Sequence, residues 1–166
     1  MYANLPYNIT APASTARSES KCFEGITVLV QKEVAERLCA APGTSAYGAF
    51  SVFMQYYTEP EYLFAVPREC FEPQPKVTSA VLRAVVRREP PVEVEDEKFF
   101  FRVVYAAFAL RRKTLVNSLM TAFGSQLTKE QVTQAVTSCG LEANIRGERL
   151  GLSEFAALAK AIHALV

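Results

Sequence analysis

What this chain has little of narrows its class before any motif is considered. It carries one histidine and four cysteines in 166 residues. Cys22, Cys39, Cys70 and Cys139 are scattered without a C-x-x-C pair, so no zinc-site spacing exists and no metal is expected. The cysteines read as buried free thiols of a reducing compartment. Net charge is nearly absent, at +1. Residues 1–91 hold nine basic and nine acidic side chains, and residues 92–166 nine and eight. Binding to nucleic acid by bulk charge is therefore disfavoured, and any basic surface must come from clustering. The longest apolar run, "VVYAAFAL", is far too short to span a bilayer, and nothing resembles a signal peptide. A soluble, cytoplasmic protein without a membrane partner is expected.

What is present is a globular composition, half apolar and about a fifth charged. "GITVLVQ" (Gly25–Gln31) is a β-branched run of the kind buried on both faces of an α/β sheet. "QKEVAERLCAAPG" predicts a short helix stopped by Pro42-Gly43. A helix is expected over residues 48–54 and a strand over 61–66. The proline-rich loop "PRECFEPQPK" then leads into the strand "VTSAVLRAVVRR", which shows no cleanly polar face and again predicts burial on both sides. "REPPVEVEDE" is a linker. Beyond it the period becomes helical over residues 97–123. Thr128 and Gln131 form a capping box for a helix ending at Gly140, and Ser153 N-caps a last apolar-periodic helix. His163, inside that helix, reads as structural.

Three stretches carry chemistry. Near the start, Asn4-Leu5-Pro6-Tyr7 is a compact means of holding a planar base. An amide oxygen accepts from an exocyclic amine, a proline directs the neighbouring carbonyls, and an aromatic face stacks. The same four residues also read as a strand end entering a proline turn. The other two stretches are "FEPQPKVTSAV", from Phe71, and "FALRRKTLVNSL", from Phe108, with "RGERLGLSEF" after them.

In this order and at these separations the motifs resemble the ribosomal RNA adenine dimethyltransferases, relatives of the erythromycin-resistance rRNA methyltransferases. The small-subunit branch fits better because "RRKTLVNSL" and "RGERLGLSEF" resemble its helical domain. A lone N-L-P-Y also occurs in DNA adenine methyltransferases, but the helical tail favours RNA. The resemblance implies an α/β fold: the C-terminal half of a Rossmann-like methyltransferase sheet in residues 1–91 and an all-helical, rRNA-binding domain in residues 92–166. It implies S-adenosylmethionine as cofactor and small-subunit rRNA, within the 30S pre-ribosomal subunit, as partner. It covers only the back part of the family pattern. None of the seven glycines forms G-x-G, and the main cofactor-binding elements are missing. An N-terminally truncated member is expected, inactive alone, with the strand segment 26–30 left as a bare edge prone to self-association. Residues 12–20, "PASTARSES", lack the apolar periodicity of the family's helix there.

By this resemblance Asn4, with the backbone of Leu5 or Pro6, would hold the target N6 amine, and Tyr7 and Phe71 would stack on the adenine. Asn4 would also edge the cofactor. Arg68 and Lys76 beside that pocket would meet phosphates. So would Arg111, Arg112, Lys113 and Asn117, with Lys113 and Asn117 on one helical face, and Arg146 and Arg149. For Phe71 the alternative is a loop anchor in the core. For the Arg111–Lys113 run it is a solvated helix turn, and for Arg146 and Arg149 it is pairing with Glu148 or Glu142. The competing function is a catalytically dead rRNA-binding or ribosome-assembly module, or a non-functional gene fragment.

Overall fold

The computed structural model describes the backbone strand Tyr2–Asn4 and residues 24–166. Leu5, Pro6, Tyr7, Cys22 and residues 12–20 lie outside the described residues. The chain divides into two compact units, one from Met1–Ala40 with Phe53–Pro90, the other from Ala41–Val52 with Pro91–Val166.

The first unit is built on a four-stranded sheet of order β1-β2-β4-β3. Its strands are β1 (Tyr2–Asn4), β2 (Gly25–Gln31), β3 (Thr58–Val66) and β4 (Ser79–Val86). β1 runs parallel to β2, and β4 is antiparallel to both β2 and β3. Helix α1 (Lys32–Leu38) leaves β2 directly and packs Ala35 and Leu38 against the sheet. Helix α2 (Ala49–Tyr57) runs three residues past its expected end, and β3 begins three residues early. Pro60 is tolerated because β3 is an edge strand, and a bulge interrupts its register between Tyr62 and Phe64.

Two expectations for this sheet fail. β2 is not a bare edge, because Tyr2, Ala3 and Asn4 pair with Thr27, Val28 and Leu29. Self-association through the segment 26–30 loses its basis. Nor are β2 and β4 buried on both faces. Val28, Val30, Ala80, Leu82 and Ala84 are buried on one face, whereas the other is half-buried to exposed. The register explains the difference. Thr27, Arg83 and Glu61 line up across three strands as a polar row, one residue per strand. No single strand displays that row, so its own alternation hides it.

The second unit holds four helices among the described residues: α3 (Glu97–Phe108), α4 (Leu115–Phe123), α5 (Lys129–Ser138) and α6 (Leu152–His163). Asp96 caps α3, accepting from the Lys98 and Phe99 amides at 2.8 and 3.1 Å. Thr128 and Gln131 form the expected capping box, and Gly140 ends the α5 turn at φ 75°. α3 packs on α4 and α6 around Phe100, Val104, Leu119, Phe155 and Leu158, all fully buried.

The expected helix over 97–123 is broken into α3 and α4. Thr114 N-caps α4, and the Leu115 amide is taken by the Ile145 carbonyl at 2.7 Å. Lys113 therefore stands in the turn before the cap and does not share a helical face with Asn117. α6 starts two residues earlier than expected, at an N-cap of Gly151 whose amide donates to Glu154 Oε2 at 3.0 Å. The thiols are less buried than expected. Cys70 is exposed, and Cys39 and Cys139 are half-buried, with desolvation pushing both of these thiols up. His163 is exposed and stacks on Phe99 with ring centroids 4.5 Å apart.

Candidate functional site

Register alone assembles one edge of the sheet in the first unit. β1 and β2 point the same way, with Asn4 opposite Leu29 near their carboxyl ends. Gln31 pairs with Ser79, Ser79 pairs with Val66, and the Lys32 amide donates to the Thr78 carbonyl at 3.0 Å. The loop from Val66 to Ser79 thus opens on the edge where β1 and β2 end. That loop carries Arg68, Phe71 and Lys76. Asn4 and the start of β4 stand two strands apart, about 10 Å. Carboxyl ends of parallel strands are where α/β sheets place their ligands, since the chain there leaves the sheet with unpaired backbone groups.

Within the loop, a 3-10 turn (Arg68–Cys70) presents Phe71, whose amide donates to the Arg68 carbonyl at 3.2 Å. Phe71 has an extended backbone and is half-buried. Neither a core anchor nor a free ring describes it. The Glu72-Pro73 peptide is cis. Arg68 is partly engaged, since its Nε donates to Glu69 at 3.2 Å. The backbone amide of Glu69, and then Arg68, hold that carboxyl below its ordinary range. Lys76 is exposed and has no ion-pair partner among the described residues. Sequence reasoning passed over Gln31, which ends β2 at this edge, and Lys32, which opens α1 directly after it. The change from apolar run to polar pair was the available signal.

The second unit gathers a basic cluster from three segments. The Arg111 guanidinium donates to the Ser45 carbonyl at 2.6 Å, and the Gly43 amide donates to the Glu148 carbonyl at 2.7 Å. Tyr47 is buried and donates to the Leu150 carbonyl at 2.9 Å, and burial followed by the Glu154 charge pushes its phenol up. Gly147 sits directly on α3, so close that an added Cβ would lie 2.6 Å from the Ala107 carbonyl oxygen. These contacts bring the turn carrying Arg111, Arg112 and Lys113 beside the 3-10 turn (Gly147–Arg149), which Arg146 precedes and Arg149 ends.

The cluster's members differ in availability. Arg111 is committed to Ser45. The exposed Arg146 lies 3.9 Å from the half-buried Glu148, a long contact of little strength, and the Arg149 guanidinium rests over Gly43. Asn117 is half-buried, inside the first turn of α4. Arg112 and Lys113 are exposed, and their side chains have no partner among the described residues. No group of His, Cys, Asp and Glu able to hold a metal ion occurs among the described residues, and no helix there is long and apolar enough to cross a membrane.

The ribosomal RNA small subunit methyltransferase A of Geobacillus sp. (strain WCH70) is 48% identical over 162 residues, covering 96% of this chain and 56% of that protein. The protein of the same name from Streptococcus pneumoniae (strain CGSP14) is 49% identical, with coverage of 96% and 56%. The chain thus spans about half the length of the curated relatives it matches. Among solved structures, a dimethyladenosine transferase from Plasmodium falciparum superposes with a TM-score of 0.77 at 20% identity, over 98% of this chain and 66% of that one. The 23S rRNA methyltransferase ErmE gives a TM-score of 0.63 at 23% identity, over 98% and 64%. These likenesses establish the fold as α/β, part of a Rossmann-like methyltransferase sheet together with a helical unit. The family profile described as ribosomal RNA adenine dimethylase matches residues 1–162. On that match, covering nearly its whole length, the chain belongs to the ribosomal RNA adenine dimethylase family.

Proposed function

We propose that this chain supplies the adenine-holding edge and the RNA-gripping helical part of a small-subunit rRNA adenine N6,N6-dimethyltransferase. The observation that carries the reading is the register that brings Asn4 and the Phe71 loop to one sheet edge. Asn4 accepts from the N6 amine of the target adenine, with a second acceptor from the Leu5 or Pro6 carbonyl, and so orients the nitrogen lone pair without a strong base. Phe71 and Tyr7 flank the extruded base, each stack worth roughly 1–3 kcal/mol against an extrusion cost of a few kcal/mol.

The family implies S-adenosylmethionine as methyl donor, and the described residues do not build a site for it. Gly25 is the single glycine of the first unit. It opens β2 with its Cβ position 3.1 Å from the Ala84 carbonyl, pressed on β4 and away from any cradle. The chain by itself is expected to give no calorimetric signal with S-adenosylmethionine. Fused behind the part of the Geobacillus relative that it does not match, it is expected to bind the cofactor and to form N6,N6-dimethyladenosine in small-subunit rRNA, read by mass spectrometry. A fusion that binds the cofactor and leaves the rRNA unmodified would sink the proposal.

The basic cluster supports rRNA, within the 30S pre-ribosomal subunit, as the partner. Arg112 and Lys113 are positioned for phosphates, a base-independent contact. Replacing both with Gln is expected to flatten the salt dependence of rRNA binding by about 1.5–2 units. Arg111→Gln is expected instead to lower the unfolding temperature, because it frees the Ser45 carbonyl. An unchanged slope in the double variant would leave the turn merely solvated.

A further inference from the structure

One face of the second unit belongs neither to the adenine-holding edge nor to the basic turn. On α3, Lys98, Arg102, Tyr105 and, just past its end, Ala109 fall within about 60° of helical arc. All four are exposed. Glu97, the acidic residue of this helix, lies about 100° round from Lys98. Arg102 is held in place: its Nη2 donates to the Ala122 carbonyl at 2.9 Å, and its guanidinium lies 4.5 Å from the Phe123 ring centroid. Tyr105 is 53% exposed, the one aromatic among the exposed large apolar residues described in this unit. Its ring is tilted at 41° to that of Phe101, with centroids 6.4 Å apart. Past Ala109 the stripe runs into the turn carrying Arg112 and Lys113. Lys98 and Ala109 are separated by about 16 Å of helix.

We propose that this stripe is a docking surface for an unpaired nucleotide of RNA, its base stacked on Tyr105 and its flanking phosphates met by Lys98, Arg102 and Arg112. A row of cations without an interposed acid fits a polyanion, and a half-exposed ring set among them offers the flat face that a base needs. A paired helix has no free base to offer, so the surface selects single-stranded RNA over duplex. The proposal rests on the rRNA reading above and adds a site outside the adenine pocket.

The full chain is titrated with a short single-stranded RNA and with a fully paired duplex of the same length. Tyr105→Ala is expected to weaken single-strand binding roughly 5- to 150-fold, leaving its salt slope and the duplex affinity unchanged. Tyr105→Phe keeps the stack and should bind as the unsubstituted chain does. Lys98→Gln should reduce the single-strand slope by about 0.7. Undiminished single-strand binding by Tyr105→Ala, equal losses on both RNAs, or no binding by the unsubstituted chain would each overturn the assignment. If Tyr105→Ala is silent while the Arg112 and Lys113 double variant loses affinity, the stacking site is wrong and the rRNA reading stands.

Discussion

Asn4→Ala, in the fusion that carries a complete cofactor-binding part, is expected to lower the turnover number for methyl transfer at least about a hundredfold. Asn4 lies near the carboxyl end of β1, a parallel strand locked to β2 at Thr27, Val28 and Leu29. The pairing fixes the backbone from which that residue springs, and an acceptor presented from fixed backbone needs little reorganisation as charge shifts at N6. Alanine removes the acceptor without disturbing the pairing, which runs through main-chain atoms. The loss should therefore fall on kcat and leave rRNA affinity nearly intact. Phe71→Ala, which removes one stacking face from a half-buried ring, should cost less, about one to two decades. Near-normal turnover in Asn4→Ala would remove Asn4 from the chemistry.

The second large effect is on stability. Gly147→Ala places a methyl carbon 2.6 Å from the Ala107 carbonyl oxygen and 3.1 Å from the Ala107 Cβ. Both neighbours belong to α3 and cannot swing aside as a flexible side chain would. The 3-10 turn or the helix must shift, at a cost of about 1–3 kcal/mol or more. For a chain of this length that lowers the melting temperature by roughly 3–10 °C. Gly48→Ala is the control: nothing lies within 4 Å of its Cβ position, and no melting shift is expected beyond a degree or two. Because Arg146 precedes the Gly147 turn and Arg149 ends it, the variant should also blur the basic cluster. Equal melting temperatures for Gly147→Ala and the unsubstituted chain would show that α3 can yield there.

Local signals in the sequence were legible where one segment determined its own structure. β2 spans Gly25–Gln31 as its β-branched run predicts, and Thr128 and Gln131 make the capping box that their spacing predicts. Information shared between segments was not legible. Thr114 is surrounded by good helix formers, and it becomes an N-cap only because Ile145 takes the amide after it. The polar row through Thr27, Arg83 and Glu61 exists only once three strands are in register. The same limit holds at the candidate sites. Asn4 and Phe71 were readable as chemical types, but their common edge follows from pairings among Gln31, Ser79 and Val66. Arg111 looked free for phosphate because nothing near it in the chain hints at the Ser45 carbonyl, 66 residues away.

The assignment of Ala41–Val52 to the second unit has a consequence in time. Tyr47 precedes its carbonyl partner Leu150 by 103 residues. At a synthesis rate of roughly 5–20 residues per second, the partner emerges about 5–20 s after the tyrosine. The described strands of the first unit are all made by Val86, long before the last helix of the second unit, Leu152–His163, has emerged. Throughout that interval Tyr47 and Val52, both buried at the end, must wait without a finished cavity to enter. Helices form in microseconds, so the delay is set by the ribosome and not by the chain. The basic turn, tied to Ser45 on one side and to Ile145 on the other, takes its final shape only once Ile145 has been made.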